Sequence, residues 1–226
     1  MRSNSEPVTL GDIYPDFQAT CGPILLRVPT SDDIVMLTNH VYQGLGLDDE
    51  THLGEWYLEN NRVQTGRNTM AYHYGAWHDL DLVGAQLPFT VLVDGKVVGC
   101  QGLSVSAGPY GMVKEFSTGS WLVPDARGVG LGTAARHAML HVAFAGFHAH
   151  KVRSKATVGN ISSQRVSEKT GYHLDGTTNI IVHNQNVTLD RYIITRTMWR
   201  NSSRPTTILE GADTILPHLL GFPQQF

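Results

Sequence analysis

The chain alternates short runs of β-branched and aromatic residues with turn residues, a pattern typical of a domain built around a sheet. Asp94–Gly95 separates two such runs and predicts a tight hairpin, because this dipeptide readily adopts the left-handed backbone that two-residue turns require. Pro124–Asp125 ends a later run. The predicted strands are Ile24–Val28, Pro88–Val93, Lys96–Val105, Lys114–Val123, Val152–Thr157, Thr178–Val182 and Val187–Thr195.

Apolar residues at helical spacing predict the helices that connect these strands. Ile34, Leu37 and Val41 fall near one face of a helix that begins after Thr30, whose hydroxyl can cap it. The predicted helices are Asp32–Gln43, Thr133–Phe147 and Ser162–Lys169, the last ending before Gly171. This order of elements predicts an α/β fold with a mixed sheet, helices on both faces, and a parallel crossover through the 133–147 helix.

The length of 226 residues suits one large domain with irregular ends. Residues 1–21 lack a clear period and are predicted to form a flexible arm. Residues 22–200 form the predicted domain, and residues 201–226 a tail that docks on the domain or on a partner.

Composition and charge exclude several classes of protein. The net charge is −3 and no basic run exists, which argues against a nucleic-acid partner. No apolar stretch approaches the length of a membrane span, and the first residues do not resemble a signal peptide. Cys21 and Cys100 lie far apart and match no metal-ligand spacing. We therefore expect a cytoplasmic protein without a metal.

The turn before the 133–147 helix is the clearest candidate for chemistry. Its residues are Arg127, Gly128, Val129, Gly130, Leu131, Gly132 and Thr133. Three glycines allow backbone N–H groups to point at an anion, and the partial positive charge of the following helix start favours phosphate. Arg127 can add a charge-assisted contact. The spacing matches neither the Rossmann fingerprint nor a Walker motif, which requires Lys-Ser/Thr after the last glycine.

The run GSWLVPDARGVGLGTAARHAMLHVAF, residues 119–144, resembles the GNAT superfamily of N-acetyltransferases, with its strand, R-x-x-G-x-G/A turn and helix. The match is closer to the RimL-like branch, which acetylates α-amino groups of ribosomal proteins and other amines. That branch carries N-x-x-S-x-x-x-x-E-K-x-G-F, and this chain has Asn160 and Ser163 followed by Glu168-Lys169-Thr170-Gly171-Tyr172. The resemblance covers Ile24 to Trp199. It implies a mostly antiparallel sheet of about seven strands, splayed between the family's fourth and fifth strands.

The resemblance also implies acetyl-CoA as cosubstrate and assigns its contacts. The backbone of Leu122 and Val123 matches the positions that bond pantetheine, and Arg127 to Thr133 match those that hold the pyrophosphate. Asn160 would contact the cofactor arm. Ser163 matches the serine thought to protonate the leaving thiolate, although a serine in a first helical turn commonly just bonds a backbone amide.

A base must deprotonate the incoming amine, because only the free amine attacks a thioester. Glu115 is the predicted base, since in an extended strand it shares a face with Ser117, Gly119 and Trp121. Many amino-terminal acetyltransferases carry a glutamate on the fifth strand, where this chain has Ser154, Lys155 and Ala156. A relayed water is therefore an equal alternative, and Glu115 can equally be a solvent-facing strand residue.

Residues 48–86 are rich in aromatic residues and histidine, and we expect this segment to be helical in its middle and to wall the acceptor site. Trp77, His73 and Trp121 are the predicted substrate contacts, although core packing is the commoner use of such side chains. His137 and His141 have helical spacing, yet no carboxylate in HExxH register supports a metal site.

Together these features predict direct transfer of an acetyl group from acetyl-CoA to a primary amine, on a small molecule or a protein N-terminus. Two alternatives stay open: a non-catalytic acyl-CoA sensor, and a transferase that uses another acyl-CoA such as succinyl-CoA. Fold alone does not determine the acceptor. The final strands and apolar tail are compatible with a homodimer.

Overall fold

The computed structural model describes residues 9, 11, 16–45, 61–77, 84–107, 114–182 and 184–213. Their strands form one mixed sheet in the order β7-β8-β6-β5-β4-β3-β2-β1-β9. Neighbouring strands are antiparallel except for β5 and β6, which run parallel. The strands are β1 Gln18–Cys21, β2 Ile24–Arg27, β3 Gln86–Val93, β4 Lys96–Ala107, β5 Glu115–Leu122, β6 Lys151–Thr157, β7 His173–Val182, β8 Gln185–Thr195 and β9 Thr207–Glu210.

The helices largely follow the sequence prediction. Thr30 and Asp33 form a capping box at the start of α1, in which each side chain bonds the backbone amide of the other residue. The helix predicted from Thr133 instead begins at Leu131 and ends in a π-helical turn over Val142–Gly146. The described helices are α1 Ser31–Gln43, α2 Arg62–Tyr74, α3 Leu131–His141, α4 Ile161–Lys169 and α5 Arg196–Asn201.

Helices cover both faces of the sheet, as predicted. On one face α1 packs beside α2, and Leu37 and Val41 bury against Cys100 of β4 and Trp121 of β5. On the other face α3 packs across β1, β2, β4 and β5, where Ala138 and Met139 join the main core with Phe116. Alternation of side chains along β5 directs Phe116 and Trp121 to opposite faces.

Among the described residues the sheet has nine strands rather than about seven. Residues 18–21, predicted to belong to an arm, form β1 between β2 and β9, and Phe17 before them is buried against Trp77 and Phe89. β9 lies in the predicted tail. Four-residue strands are too short for an alternating pattern to identify, and their position depends on pairing with distant strands.

The parallel pair β5–β6 separates partway along its length. Pairing covers Glu115–Thr118 with Lys151–Ser154 and then stops, while β6 continues to pair with β8 up to Thr157. The remaining residues of β5, 119–122, therefore diverge from residues 155–157 of β6. This opening, which we call the gap, is the splay that the resemblance to the GNAT superfamily implied.

Candidate functional site

The glycine-rich turn adopts a backbone that requires glycine. Gly128 and Gly130 have φ angles of 77° and 92°, in the left-handed region that disfavours side chains. A Cβ added at either position would meet nothing within 4 Å. The requirement is therefore conformational, because the space around both residues is open.

The turn presents backbone donors at the start of α3. Gly130 caps the helix without a side-chain bond, and its carbonyl accepts from the amides of Thr133 and Ala134. Within the described parts of the chain, no acceptor bonds the amides of residues 128–132. An exposed row of amides at a helix start is a favourable environment for a phosphate group.

Arg127, predicted to add a charge-assisted contact to the phosphate, bonds two backbone carbonyls of the protein. Its Nε donates to the Leu122 carbonyl at 2.8 Å and its Nη2 donates to the Leu45 carbonyl at 2.7 Å. These bonds connect the turn to the end of β5 and to the chain after α1. Burial lowers the pKa of the guanidinium from its ordinary value, yet an arginine stays charged at neutral pH. Arg127 therefore orients the turn, with two of its donor nitrogens already bonded to the protein.

The end of β5 offers backbone groups to the gap, but from residues other than Val123. The Val123 amide bonds the Val98 carbonyl at 2.9 Å, and the Val123 carbonyl accepts from Ala126. Because alternate residues of a strand direct their backbone groups to opposite sides, Ser120 and Leu122 direct theirs toward the gap. The Leu122 carbonyl already accepts from Arg127. The prediction of pantetheine bonds thus fits the Leu122 amide and not the Val123 amide.

Asn160 and Ser163 lie together at the start of α4. The Asn160 Oδ1 accepts from the Ser163 amide at 3.1 Å, which makes Asn160 the helix cap. Gly132 lies close to both neighbouring elements, since a Cβ there would be 3.7 Å from Leu122 and from Val166. The start of α3 therefore lies against the diverging end of β5 and the body of α4.

Glu115 lies in the paired part of β5, about 20 Å along the strand from Trp121. Its carboxylate pairs with Lys151 at 2.9 Å and also with Arg153. Burial acts to raise the pKa of Glu115, but hydrogen bonds and the charges of these two cations outweigh it and lower the pKa. A carboxylate held in this way is a weak base. The geometry disfavours the predicted role of Glu115 in proton abstraction.

A cavity of about 210 Å³ opens on the α1–α2 face of β4 and β5. Trp121, a predicted substrate contact, lines this cavity. None of the residues that line the cavity has a charged side chain. Tyr72 also lines it, a residue that the sequence placed only within an aromatic-rich segment. The lining residues are Tyr72, Gln86, Cys100, Gly102, Ser104, Ser117, Thr118, Gly119, Ser120 and Trp121.

The other two predicted substrate contacts lie elsewhere. Trp77 packs in the core against Phe17 and Phe89, with its Nε1 donating to the Pro88 carbonyl at 3.3 Å. His73 is buried beside α1 and is absent from the cavity lining. Burial lowers the pKa of His73 to about 4, against the opposing charge of Asp33. Both side chains serve packing in this structure.

The histidines of α3 do not form a recognisable metal site. His141 packs edge-on against Trp199, and burial, followed by the charge of Arg204, lowers the pKa of both His137 and His141. Among the described residues, no three side chains of His, Cys, Asp or Glu cluster as a metal site would require. Cys21 and Cys100 are both buried, and neither forms a disulfide bond among the described residues. Each described helix is too short or too polar to span a bilayer.

The splayed sheet with an amide-lined turn at the start of α3 is the arrangement that the resemblance to the GNAT superfamily implied. The family model of the acetyltransferase (GNAT) domain matches residues 24–173, well over half of the chain. The protein therefore belongs to the GNAT acetyltransferase family.

Solved structures share this fold at low sequence identity. An acetyltransferase of the GNAT family from Bacillus anthracis is similar with a TM-score of 0.64 and 17% identity, over 80% of this chain and 99% of that one. Spermidine N-acetyltransferase from Vibrio cholerae, in complex with CoA and spermine, gives 0.62 and 15%, over 79% and 99%. Mycobacterium smegmatis RimJ, in complex with CoA-disulfide, gives 0.62 and 16%, over 90% and 93%.

Proposed function

We propose that this protein transfers an acetyl group from acetyl-CoA directly to a primary amine. The observation that carries the proposal is the gap between β5 and β6, which opens beside the unbonded amides of residues 128–132. The family membership supports the same reaction class. The RimL-like branch, the homodimer and the cytoplasmic location stay predictions from the sequence.

The proposed binding mode follows the backbone. The amides of residues 128–132 take the pyrophosphate, and the gap-facing groups of Ser120 and the Leu122 amide bond the pantetheine arm. The thioester then lies in the gap, next to the uncharged cavity lined by Tyr72 and Trp121. This cavity is the proposed site for the acceptor amine, and its volume suits the reactive end of an amine rather than a large molecule.

The proposed chemistry uses a tetrahedral intermediate without an acyl-enzyme. An ammonium of pKa about 8 to 10 must first lose a proton. Because Glu115 is held by two cations, we assign this proton to a water relay in the cavity, the alternative that the sequence left open. Ser117 and Tyr72 supply hydroxyls that can orient such a water.

A substitution in the turn tests the proposal. Gly130→Val forces a β-branched residue into a left-handed backbone, so the amides should lose their arrangement and CoA affinity should fall at least about 100-fold. Calorimetric titration with CoA measures this loss. Gly22→Val is the matched control, because Gly22 also has a positive φ of 55° and open surroundings, but lies in the β1–β2 turn, at least three strands from β5 in the sheet order.

The proposal also requires turnover. Wild-type protein should release thiol from acetyl-CoA when a panel of primary amines is supplied. Tight CoA binding without thiol release for any amine would favour the sensor alternative. Unchanged CoA affinity in Gly130→Val would remove the turn from the binding site.

A further inference from the structure

The gap contains a buried arginine that the proposed binding mode does not use. Arg136 projects from α3 and only 3% of its surface is exposed. Its Nη1 donates to the Ser154 hydroxyl of β6 at 3.0 Å, and its Nη2 donates to the Ser120 hydroxyl of β5 at 3.2 Å. Thr118 and Ser154 are the last paired residues of the two strands. The guanidinium therefore bridges the strands at the point where they begin to diverge.

Arg136 lacks an anionic partner within the part of the chain that the structure describes. No carboxylate there forms an ion pair with it, and its Nε is buried without any hydrogen-bond partner. The bonds to Ser154 and Ser120 both go to neutral hydroxyls. Burying a charge that is only partly satisfied is costly, and such charges are ordinarily paired with an opposite charge.

The remaining polar groups around Arg136 are also neutral. The Tyr172 ring lies 5.9 Å below the guanidinium carbon, and the Tyr172 hydroxyl bonds the Thr118 hydroxyl at 3.0 Å. Burial raises the pKa of Tyr172, against the opposing charge of Arg136, so the phenol is protonated at neutral pH. The protein thus builds a buried site with one positive charge and supplies no negative charge to it from the residues described.

We infer that Arg136 stabilises the thiolate of coenzyme A as it leaves, an anion that the reaction itself produces in the gap. The inference rests on the proposed function. In that reaction the amine lone pair forms a bond to the thioester carbon, and the carbonyl electron pair moves to oxygen. When the carbonyl re-forms, the C–S bond breaks with its electron pair on sulfur. The products are the amide, the CoA thiolate and the proton lost by the amine.

A fixed cation suits this step better than a serine hydroxyl acting as an acid. An arginine keeps its charge at every working pH and cannot donate its proton, so it acts only by stabilising charge. The neutral thioester interacts weakly with the charge of the guanidinium. The departing thiolate interacts strongly with it, because the site is buried. The interaction is therefore largest near the transition state, which is the condition for raising kcat. Ser120 and Ser154 act as positioning residues that hold the guanidinium across the gap.

Binding of CoA at varied pH tests the inference without turnover. A cation beside the sulfur lowers the pKa of the bound thiol, so CoA affinity should rise with pH, by about ten-fold or more before the free thiol ionises. Desulfo-CoA, which lacks the thiol, should show no such rise. Arg136→Leu should abolish the rise for CoA, and Arg136→Lys should restore part of it.

Kinetic and thermal measurements separate this role from a structural one. Arg136→Leu should lower kcat about 100-fold with little change in acetyl-CoA affinity. Its melting temperature should stay the same or increase, since replacing a poorly paired buried charge by an apolar side chain commonly stabilises a protein. Arg204→Leu is the control for removing an arginine outside the gap. Arg204 is exposed and stacks on Trp199, so its loss should lower the melting temperature slightly and leave kcat unchanged.

Three results of the binding experiment would overturn the inference. They are a wild-type CoA affinity that does not rise with pH, a rise that survives in Arg136→Leu, and a rise that desulfo-CoA shares. If Arg136→Leu does not fold, Arg136→Gln and Ser154→Ala allow the same comparison. A wild-type protein that binds no CoA would instead refute the proposed function itself, whereas transfer that proceeds equally well without Arg136 refutes only the inference.

Discussion

The ion pair of Glu115 allows a sharp distinction between a structural and a catalytic role. Glu115→Gln keeps the shape of the side chain but removes its negative charge. That charge pairs Glu115 of β5 with Lys151 and Arg153 of β6. The Glu115 side chain is only 15% exposed, whereas the two cations are 28% and 35% exposed and can regain solvent. The substitution should therefore lower the free energy of unfolding by about 1–2 kcal/mol, a value between the loss expected for a surface ion pair and that expected for a buried one.

Thermal and chemical unfolding measure this loss. For a protein of this size, 1–2 kcal/mol corresponds to a decrease in Tm of about 2–8 °C. The pKa of Glu115 is lower in the folded protein than in the unfolded chain, so its contribution is present above the unfolded pKa of about 4. It is lost as the pH falls through the folded pKa. The stability difference between wild type and Glu115→Gln should therefore shrink in acid.

Activity measurements complete this test. Because Glu115 does not line the cavity and is a weak base held by two cations, the turnover rate of Glu115→Gln should stay within about two-fold of wild type at a temperature where both are folded. Asp175→Asn, which removes an exposed negative charge on β7, is a control for the same change in net charge. A turnover rate that falls by about 100-fold or more while Tm is unchanged would show that Glu115 is the base after all.

Three further substitutions test the other assignments. Trp77→Ala should cost about 3–5 kcal/mol of unfolding free energy by urea titration, because its ring fills the core; a stable variant with a raised acceptor KM would instead indicate a substrate contact. Trp121→Ala should raise the acceptor KM more than the donor KM in steady-state kinetics, and the opposite order would exclude the cavity as the amine site. The pKa of His73 is lowered to about 4 in the folded protein. As the pH falls, the unfolded chain therefore takes up a proton at His73 before the folded protein does. The free energy of unfolding should fall by about 3 kcal/mol from pH 7 to pH 4. His73→Phe should remove that dependence in urea titrations, and a dependence that persists would assign it to another group.

Local patterns were sufficient to predict most of the fold. The Asp94–Gly95 hairpin, the amphipathic α1 and the glycine-rich turn each depend on residues close together in sequence, so the chain itself displays them. The resemblance to the GNAT superfamily, which the family comparison confirmed, extended these local patterns to the splayed sheet. Phe17–Cys21 and β9 could not be predicted, because a four-residue strand is defined by its partners rather than by its own period.

The sequence by itself determined the turn, since the glycines at 128 and 130 permit a backbone that other residues resist. It also determined which residue types were available to the site. Tertiary structure decided how each one is used. In the folded protein Arg127 bonds two carbonyls, Glu115 pairs with two cations and Trp77 is buried in the core. The residue types alone were compatible with a role of each in the active site. Tertiary structure also placed Arg136 across the gap, where burial makes a single charge strong. The electrostatic environment of a side chain, its burial and the groups that it contacts depend on residues that are distant in sequence. Only folding brings those residues together.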